Sequence, residues 1–227
     1  MKKGDLRRAQ ILQASEKLFY LQGYESTSVD QILQALHLSK GGFYHHFESK
    51  EALLWAICEE RASSCAQAIA KAVADCPGGA SARINAMFDK NGLWRQDQTD
   101  FLGLLIRVGY RGGNLTLRER LKSRLYQLCL PIVDTIVADG VDSGEFLTPY
   151  PHGVGSLVLQ LGLSFTDEIA RLLAEEGPPD TARILEYLEL YRYAVEQVLG
   201  APFGSIDLYQ MRYMADLCVH IWQKHLR

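Results

Sequence analysis

Between Leu6 and Tyr24 the apolar residues Ile11, Leu12, Leu18 and Phe19, with the small Ala14 and Ser15, recur on one helical face and stop at Gly23, predicting a first helix. Thr27 or Ser28 can cap a second, short helix. Thr27 has an acidic residue three positions on at Asp30, and Val29, Ile32 and Leu36 follow at helical spacing. Ser39 can cap a third short helix over Lys40 to Phe47, in which Phe43 and Phe47 share a face suited to packing on Ile32, Leu36 and the first helix. Ser49 precedes a longer helix that opens with Lys50 and Glu51 and continues through Leu53, Leu54 and Ile57. With only about three residues between Leu36 and Lys40, the two short helices have the spacing of a helix-turn-helix. Beyond Glu60 the breaks at 76–79, 111–114, 139–145, 177–179 and 200–202 predict helices near 50–74, 80–91, 99–110, 115–139, 152–176, 180–199 and 205–225. Strand-like alternation is sustained nowhere, so an all-α chain is expected.

The length of 227 residues, 48% of them apolar, suffices for one or two cored domains. The net charge of -3 hides a division: residues 1–50 hold seven Lys/Arg against five Asp/Glu, a formal +2, and residues 51–227 hold 17 against 22, a formal -5. A small cationic module on an acidic body can dock phosphates with one face without wrapping nucleic acid. Asp5, Arg7 and Arg8 stand where an export signal needs its apolar core, and the longest apolar stretch, 149–166, contains His152 and Gln160. A cytoplasmic protein without a membrane span is therefore expected. The five cysteines, at 58, 65, 76, 129 and 218, lack close C-x-x-C spacing and read as reduced; Cys58 and Cys65 share a helix face and fit buried small side chains better than half a metal site. Asp134, Asp139, Asp142, Glu168 and Glu186, with His152, His220 and His225, form no H-E-x-x-H or other catalytic spacing. No phosphate-cradling glycine loop follows a strand either, so an enzyme is not expected, and no cofactor or metal is implied.

Three coupled features, "LFYLQGYESTSV", "LHLSKGGFYHHF" and "SKEALL", resemble the N-terminal signature of the tetracycline-repressor-like (TetR/AcrR) family of bacterial transcriptional regulators over about residues 7–57. The later "IVADGVDSGEF" is similar to a phrase of the same family. The resemblance implies an N-terminal three-helix DNA-binding domain over 1–50, its supporting helix continuing to about 74, and a larger helical effector-binding and dimerisation domain over 51–227. It further implies a homodimer on double-stranded operator DNA, most simply a repressor released from a palindrome by an unidentified, partly apolar small molecule. An activator, or an effector-independent dimeric DNA binder, is the alternative.

The expected DNA-facing residues are Thr27, Ser28, Ser39, Lys40, Gly41, Gly42, Tyr44, His45 and Lys50. Ser39, with Thr27 or Ser28, would cap helices. Lys40, at the first turn of the reading helix, would contribute to discrimination, and Lys50 would bind phosphate whatever the sequence. Gly41 and Gly42 either let that helix approach the groove or simply pack the turn tightly, at about 1 kcal/mol of helix propensity each. Tyr44 and His45 resemble the family's pair that reaches phosphate oxygens, while His46 fits a packing role.

In the body, Met87, Phe88, Trp94, Phe101, Arg107, Tyr110 and Tyr126 form an aromatic and apolar set that suits either a core or an effector cavity, the family resemblance favouring the cavity. Ile184, Leu188, Tyr191 and Val195 form a stripe on one late helix, and Leu157, Leu161, Ile169 and Leu172 lie on the helix before it around Gly155 and Gly162. These stripes suit a dimer interface or an ordinary core face.

Overall fold

The computed structural model describes residues 3–88, 98–206 and 211–227, and the described chain is helical, without a strand among the described residues. In order, the helices are α1 (Lys3–Gln22), α2 (Val29–Leu36), α3 (Lys40–Tyr44), α4 (Lys50–Asp75), α5 (Ala80–Met87), α6 (Thr99–Leu105), α7 (Leu115–Asp142), α8 (Val154–Ala174), α9 (Thr181–Leu199) and α10 (Met211–Ile221). α6 runs on as a π-helical turn over Ile106–Arg111, and α10 as another over Trp222–Leu226. The chain divides into two compact units, Met1–Arg61 and Ala62–Arg227. The division falls inside α4, beyond residue 50, because Leu53, Leu54, Ile57 and Cys58 are buried with the N-terminal helices.

Local signals build the first unit. α1 stops at Gly23, whose φ of 87° is left-handed and costs a glycine little. α2 begins with a reciprocal capping box: Ser28 Oγ accepts from Gln31 N–H (3.2 Å) while Ser28 N–H donates to Gln31 Oε1 (2.7 Å). Ser28 is thus the cap. Thr27 is fully buried with its hydroxyl donating to the Gly23 carbonyl (2.8 Å), so it and Asp30 form no such box. His37 ends α2 in the left-handed region, φ 49°, and Leu38 N–H returns to the Leu33 carbonyl at 2.9 Å. Ser39 Oγ accepts from Gly42 N–H (3.1 Å) to open α3, and Ser49 Oγ accepts from Ala52 N–H (2.9 Å) to open α4. The core joins Ile11, Leu12 and Phe19 of α1, Ile32 and Leu33 of α2, Phe43 and Phe47, and the start of α4. At its edge Arg61 forms a bidentate pair with Glu16, Nε to Oε1 at 2.6 Å and a terminal nitrogen to Oε2 at 2.8 Å.

In the second unit α8 packs against α7 and α9. Val133, Ile136 and Val137 of α7, Val158, Phe165, Ile169 and Leu172 of α8, and Ile184, Leu188 and Val195 of α9 belong to one buried cluster. α7 continues to Asp142, inside the expected break at 139–145. Gly140 is a close-approach residue there, since a Cβ would strike the Phe146 ring and Ala80. α5 ends at Met87, earlier than 91, with Phe88 as its C-cap. Its start is capped from a distance, for Glu145 accepts from the N–H groups of Ala80 (2.6 Å) and Ser81 (2.8 Å). Burial would raise the Glu145 carboxyl, but the bonds from Ser81 and Ala80, with Arg83 nearby, hold it below its ordinary value.

Candidate functional site

The first unit presents a short outward surface on a buried mount. Phe43 is fully buried, edge-on to Tyr44 at 5.3 Å and 6.0 Å from Phe47, whose ring also carries the Arg8 guanidinium at 5.2 Å. With Phe43 fixed inward, helical geometry turns Lys40, Gly41, Tyr44 and His45 outward, and all four are exposed. The Lys40 side chain is 72% exposed and its ammonium lies 3.5 Å from Asp30, an arrangement weak enough in water to yield to a phosphate or a base edge. Ser28 and Ser39 are exposed, each with its hydroxyl accepting the cap bond of its helix.

The two glycines separate. A Cβ at Gly41 would meet nothing within 4 Å, whereas one at Gly42 would approach Leu38 Cδ1 at 2.9 Å. Tight packing therefore accounts for part of Gly42 and none of Gly41.

Two expected DNA contacts are corrected. Thr27 is buried and spends its hydroxyl on the α1–α2 turn. Lys50 faces inward: its ammonium donates to the carbonyls of Tyr24 (2.9 Å) and Thr27 (3.0 Å) and lies 4.3 Å from the Tyr24 ring centroid. The turn before α2 exposes carbonyls that no helix satisfies, and the lysine pins them. Lys50→Met is expected to destabilise the first unit by about 1–3 kcal/mol. Hydrogen exchange should show faster opening of the amides around Thr27; unchanged protection would show that the clamp contributes nothing.

The second unit contains a cavity of about 170 Å³ walled by residues from α4 through α10. Of the expected set, Met87, Phe88 and Tyr110 line it, whereas Phe101, Arg107 and Tyr126 do not. Phe101 is buried in packing, and the Tyr126 hydroxyl bonds Ser156 Oγ at 2.8 Å instead. Burial, then Arg111, lowers the Arg107 pKa. Trp94 lies outside the described residues. Wall residues that sequence reasoning missed include Arg118, Cys129, Val133, Gly162, Asp167 and Cys218, and Tyr191 had been placed in the dimer stripe.

The cavity's polar end is closed on itself. Asp167 accepts from the Tyr110 hydroxyl (2.8 Å), an Arg118 terminal nitrogen (3.0 Å) and Arg171 Nε (2.9 Å), with the Arg118 guanidinium 4.3 Å from the Tyr110 ring centroid. Burial would raise the Asp167 carboxyl, but Tyr110, Arg171 and Arg118 together hold it below the usual range. Burial, reinforced by Asp167, pushes the Tyr110 phenol up. Burial also pushes the Cys129 thiol up to about 11 and the Cys218 thiol up to about 12, so both stay protonated at neutral pH.

The expected dimer stripes are corrected as well. Ile169, Leu172, Ile184, Leu188, Tyr191 and Val195 are all buried within their own chain, because the α9 stripe faces α8 of the same chain, and Leu161 is half-buried. Leu157 of α8 remains exposed, as do Leu190 and Tyr193 of α9, neither of which had been singled out. Among the described residues, no group of three His, Cys, Asp or Glu side chains could hold a metal, and no helix is long and apolar enough to cross a membrane.

Residues 11–57 match the family model described as bacterial regulatory proteins, tetR family. The HTH-type transcriptional regulator YerO of Bacillus subtilis is 26% identical over 162 residues, which cover 69% of this chain and 51% of YerO. An HTH-type transcriptional repressor of Mycobacterium tuberculosis is 39% identical over 54 residues, 24% of this chain and 29% of the repressor. The chain thus spans about half the length of the first relative and less than a third of the second. Among solved structures, a TetR-family transcriptional regulator from Pectobacterium atrosepticum superposes with a TM-score of 0.62 at 20% identity, covering 89% of this chain and 100% of that one. At that identity the likeness speaks for the fold.

Proposed function

Because this chain belongs to the tetR family of bacterial regulatory proteins, and is a DNA-binding transcriptional regulator, we propose that it is a homodimeric repressor, released from a palindromic operator by a small molecule. The observation that carries the reading is the outward face of α3, where Lys40, Gly41, Tyr44 and His45 stand exposed on a mount made rigid by Phe43 and Phe47. A short helix so held, with a flexible cation at its first turn and a clear backbone beside it, suits entry into a major groove. Tyr44 and His45 at its other end suit phosphate oxygens.

Seven basic residues in the first 50 are few for one module at physiological salt, so pairing two modules supplies the missing affinity. The exposed Leu157, Leu190 and Tyr193 on α8 and α9 offer the apolar surface for that pairing. Repression, rather than activation, follows the repressor named among the relatives. α4 supplies Leu53, Leu54 and Ile57 to the first core and Ile69 to the cavity wall, so a ligand that redistributes second-unit conformations acts on a helix that both units share. Release then requires the ligand to favour the free dimer over the bound one, and the coupling is reciprocal.

Selection from a random DNA pool tests the reading. The expected product is a palindrome with half-sites about one helical turn apart. Failure to enrich any common sequence would sink it, and a ligand that binds free and operator-bound dimer equally would remove the release mechanism.

A further inference from the structure

The second-unit cavity is apolar around its body, and its unspent polar capacity is concentrated in one hydroxyl. Tyr191 is 5% exposed, stacked on Phe165 with centroids 5.2 Å apart and edge-on to Phe88 at 5.6 Å. Burial alone pushes its phenol up, with no hydrogen bond contributing, although buried phenols usually find a partner. That hydroxyl borders Gly162, another wall residue, and a Cβ there would crowd it at 2.9 Å, so the wall keeps room around it. Arg118 Nε also lacks a partner, but it is closed off by the protein around it. Thr166 offers none, since its hydroxyl already bonds the carbonyls of Gly162 and Leu163.

Charge at the cavity is compensated. Asp167 and Glu168 balance Arg118 and Arg171, and Lys122 pairs with Glu119 at 3.7 Å. The Lys122 side chain is 36% exposed, so an ionised ligand buried beside Tyr191 would leave water without an unpaired buried charge to meet it, at a cost of several kcal/mol. Size narrows the class further, since an apolar protein cavity of about 150 Å³ stays dry and accepts a single benzene ring, and the space here is about 170 Å³.

Resting on the reading that this cavity is the effector site, we propose that it takes an uncharged, single-ring aromatic molecule bearing one acceptor oxygen or nitrogen, held by a hydrogen bond from the Tyr191 hydroxyl. Ring contacts are supplied by Phe88 and Tyr191, the latter backed by Phe165.

Three size-matched probes test this on the full chain by calorimetry: acetophenone, ethylbenzene and benzoate. Acetophenone is expected to bind about tenfold more tightly than ethylbenzene, the margin of one buried hydrogen bond, and benzoate at least about a hundredfold more weakly than acetophenone. Tyr191→Phe should bring acetophenone and ethylbenzene to within about twofold of each other. Should that variant melt, Gly162→Ala reads the same contact by crowding the hydroxyl, and should weaken acetophenone selectively. Tight benzoate binding, an acetophenone preference that survives Tyr191→Phe, or no binding by any probe would overturn the proposal. Operator affinity is measured alongside: acetophenone that binds as described but leaves operator affinity unchanged refutes the effector reading while the ligand chemistry stands.

Discussion

Glu196→Ala is expected to lower stability by about 2–3 kcal/mol, the cost of leaving a buried amide without its acceptor and removing a charged partner from Arg192. Glu196 is 1% exposed, and its carboxylate lies 3.2 Å from the Arg192 guanidinium while accepting from the N–H groups of Gly204 (2.9 Å) and Ile206 (3.2 Å). It therefore ties the end of α9 to the segment that follows it. Alanine leaves the Ile206 amide, which water does not reach, without its acceptor, while Arg192 keeps its two bonds to Glu189. Glu196→Gln keeps an acceptor for the two amides and should cost less than half as much. Asp75→Ala, which removes the exposed Lys71–Asp75 pair, is the contrast and should stay within about 0.5 kcal/mol of the parent. Urea unfolding of the three variants checks the order; an alanine variant within about 1 kcal/mol of the parent would show that the carboxylate does not pin the segment.

Gly41→Leu is expected to separate stability from DNA binding. The added side chain meets no protein atom within 4 Å of its Cβ and replaces a poor helix former, so the first unit should hold its stability or gain up to about 1 kcal/mol. Operator affinity should nevertheless fall by about a hundredfold, about 1.4 kcal/mol from each half-site of a dimer, because the backbone of α3 loses its clearance in the groove. Binding to random DNA, carried by phosphates, should change far less. Titration of operator and random duplexes at one salt concentration reads the difference. Undiminished operator affinity would show that Gly41 faces away from the DNA.

The two variants probe parts of the chain that differ in legibility. α2 and α3 were readable because their signals are local: Thr27 or Ser28 offers one cap and Ser39 the other, and Phe43 and Phe47 recur at the fourth residue to mark the inner face. The exposed positions of α3 follow once that inner face is known. Lys50 was misread because a lysine at a helix start looks the same whether it meets phosphate or, as here, backbone carbonyls more than 20 residues earlier in the chain. Glu196 went unremarked for a related reason, its partners being one helical turn back and across a loop.

In the body, breaks and periodicity alone located the helices to within a few residues and marked the apolar stripe of each. Periodicity records the side on which water is excluded, and Ile184, Leu188, Tyr191 and Val195 are indeed excluded from it. What excludes it was decided only by tertiary packing: the chain's own α8 covers most of the α9 stripe, while Leu190 and Tyr193 stay outside. The same packing brought Tyr191, Phe88 and Gly162 together around a space that no single helix contains. A hydrophobic pattern carries no partner label, so the residues that wall a cavity and those that simply fill a core have the same spacing until the helices meet.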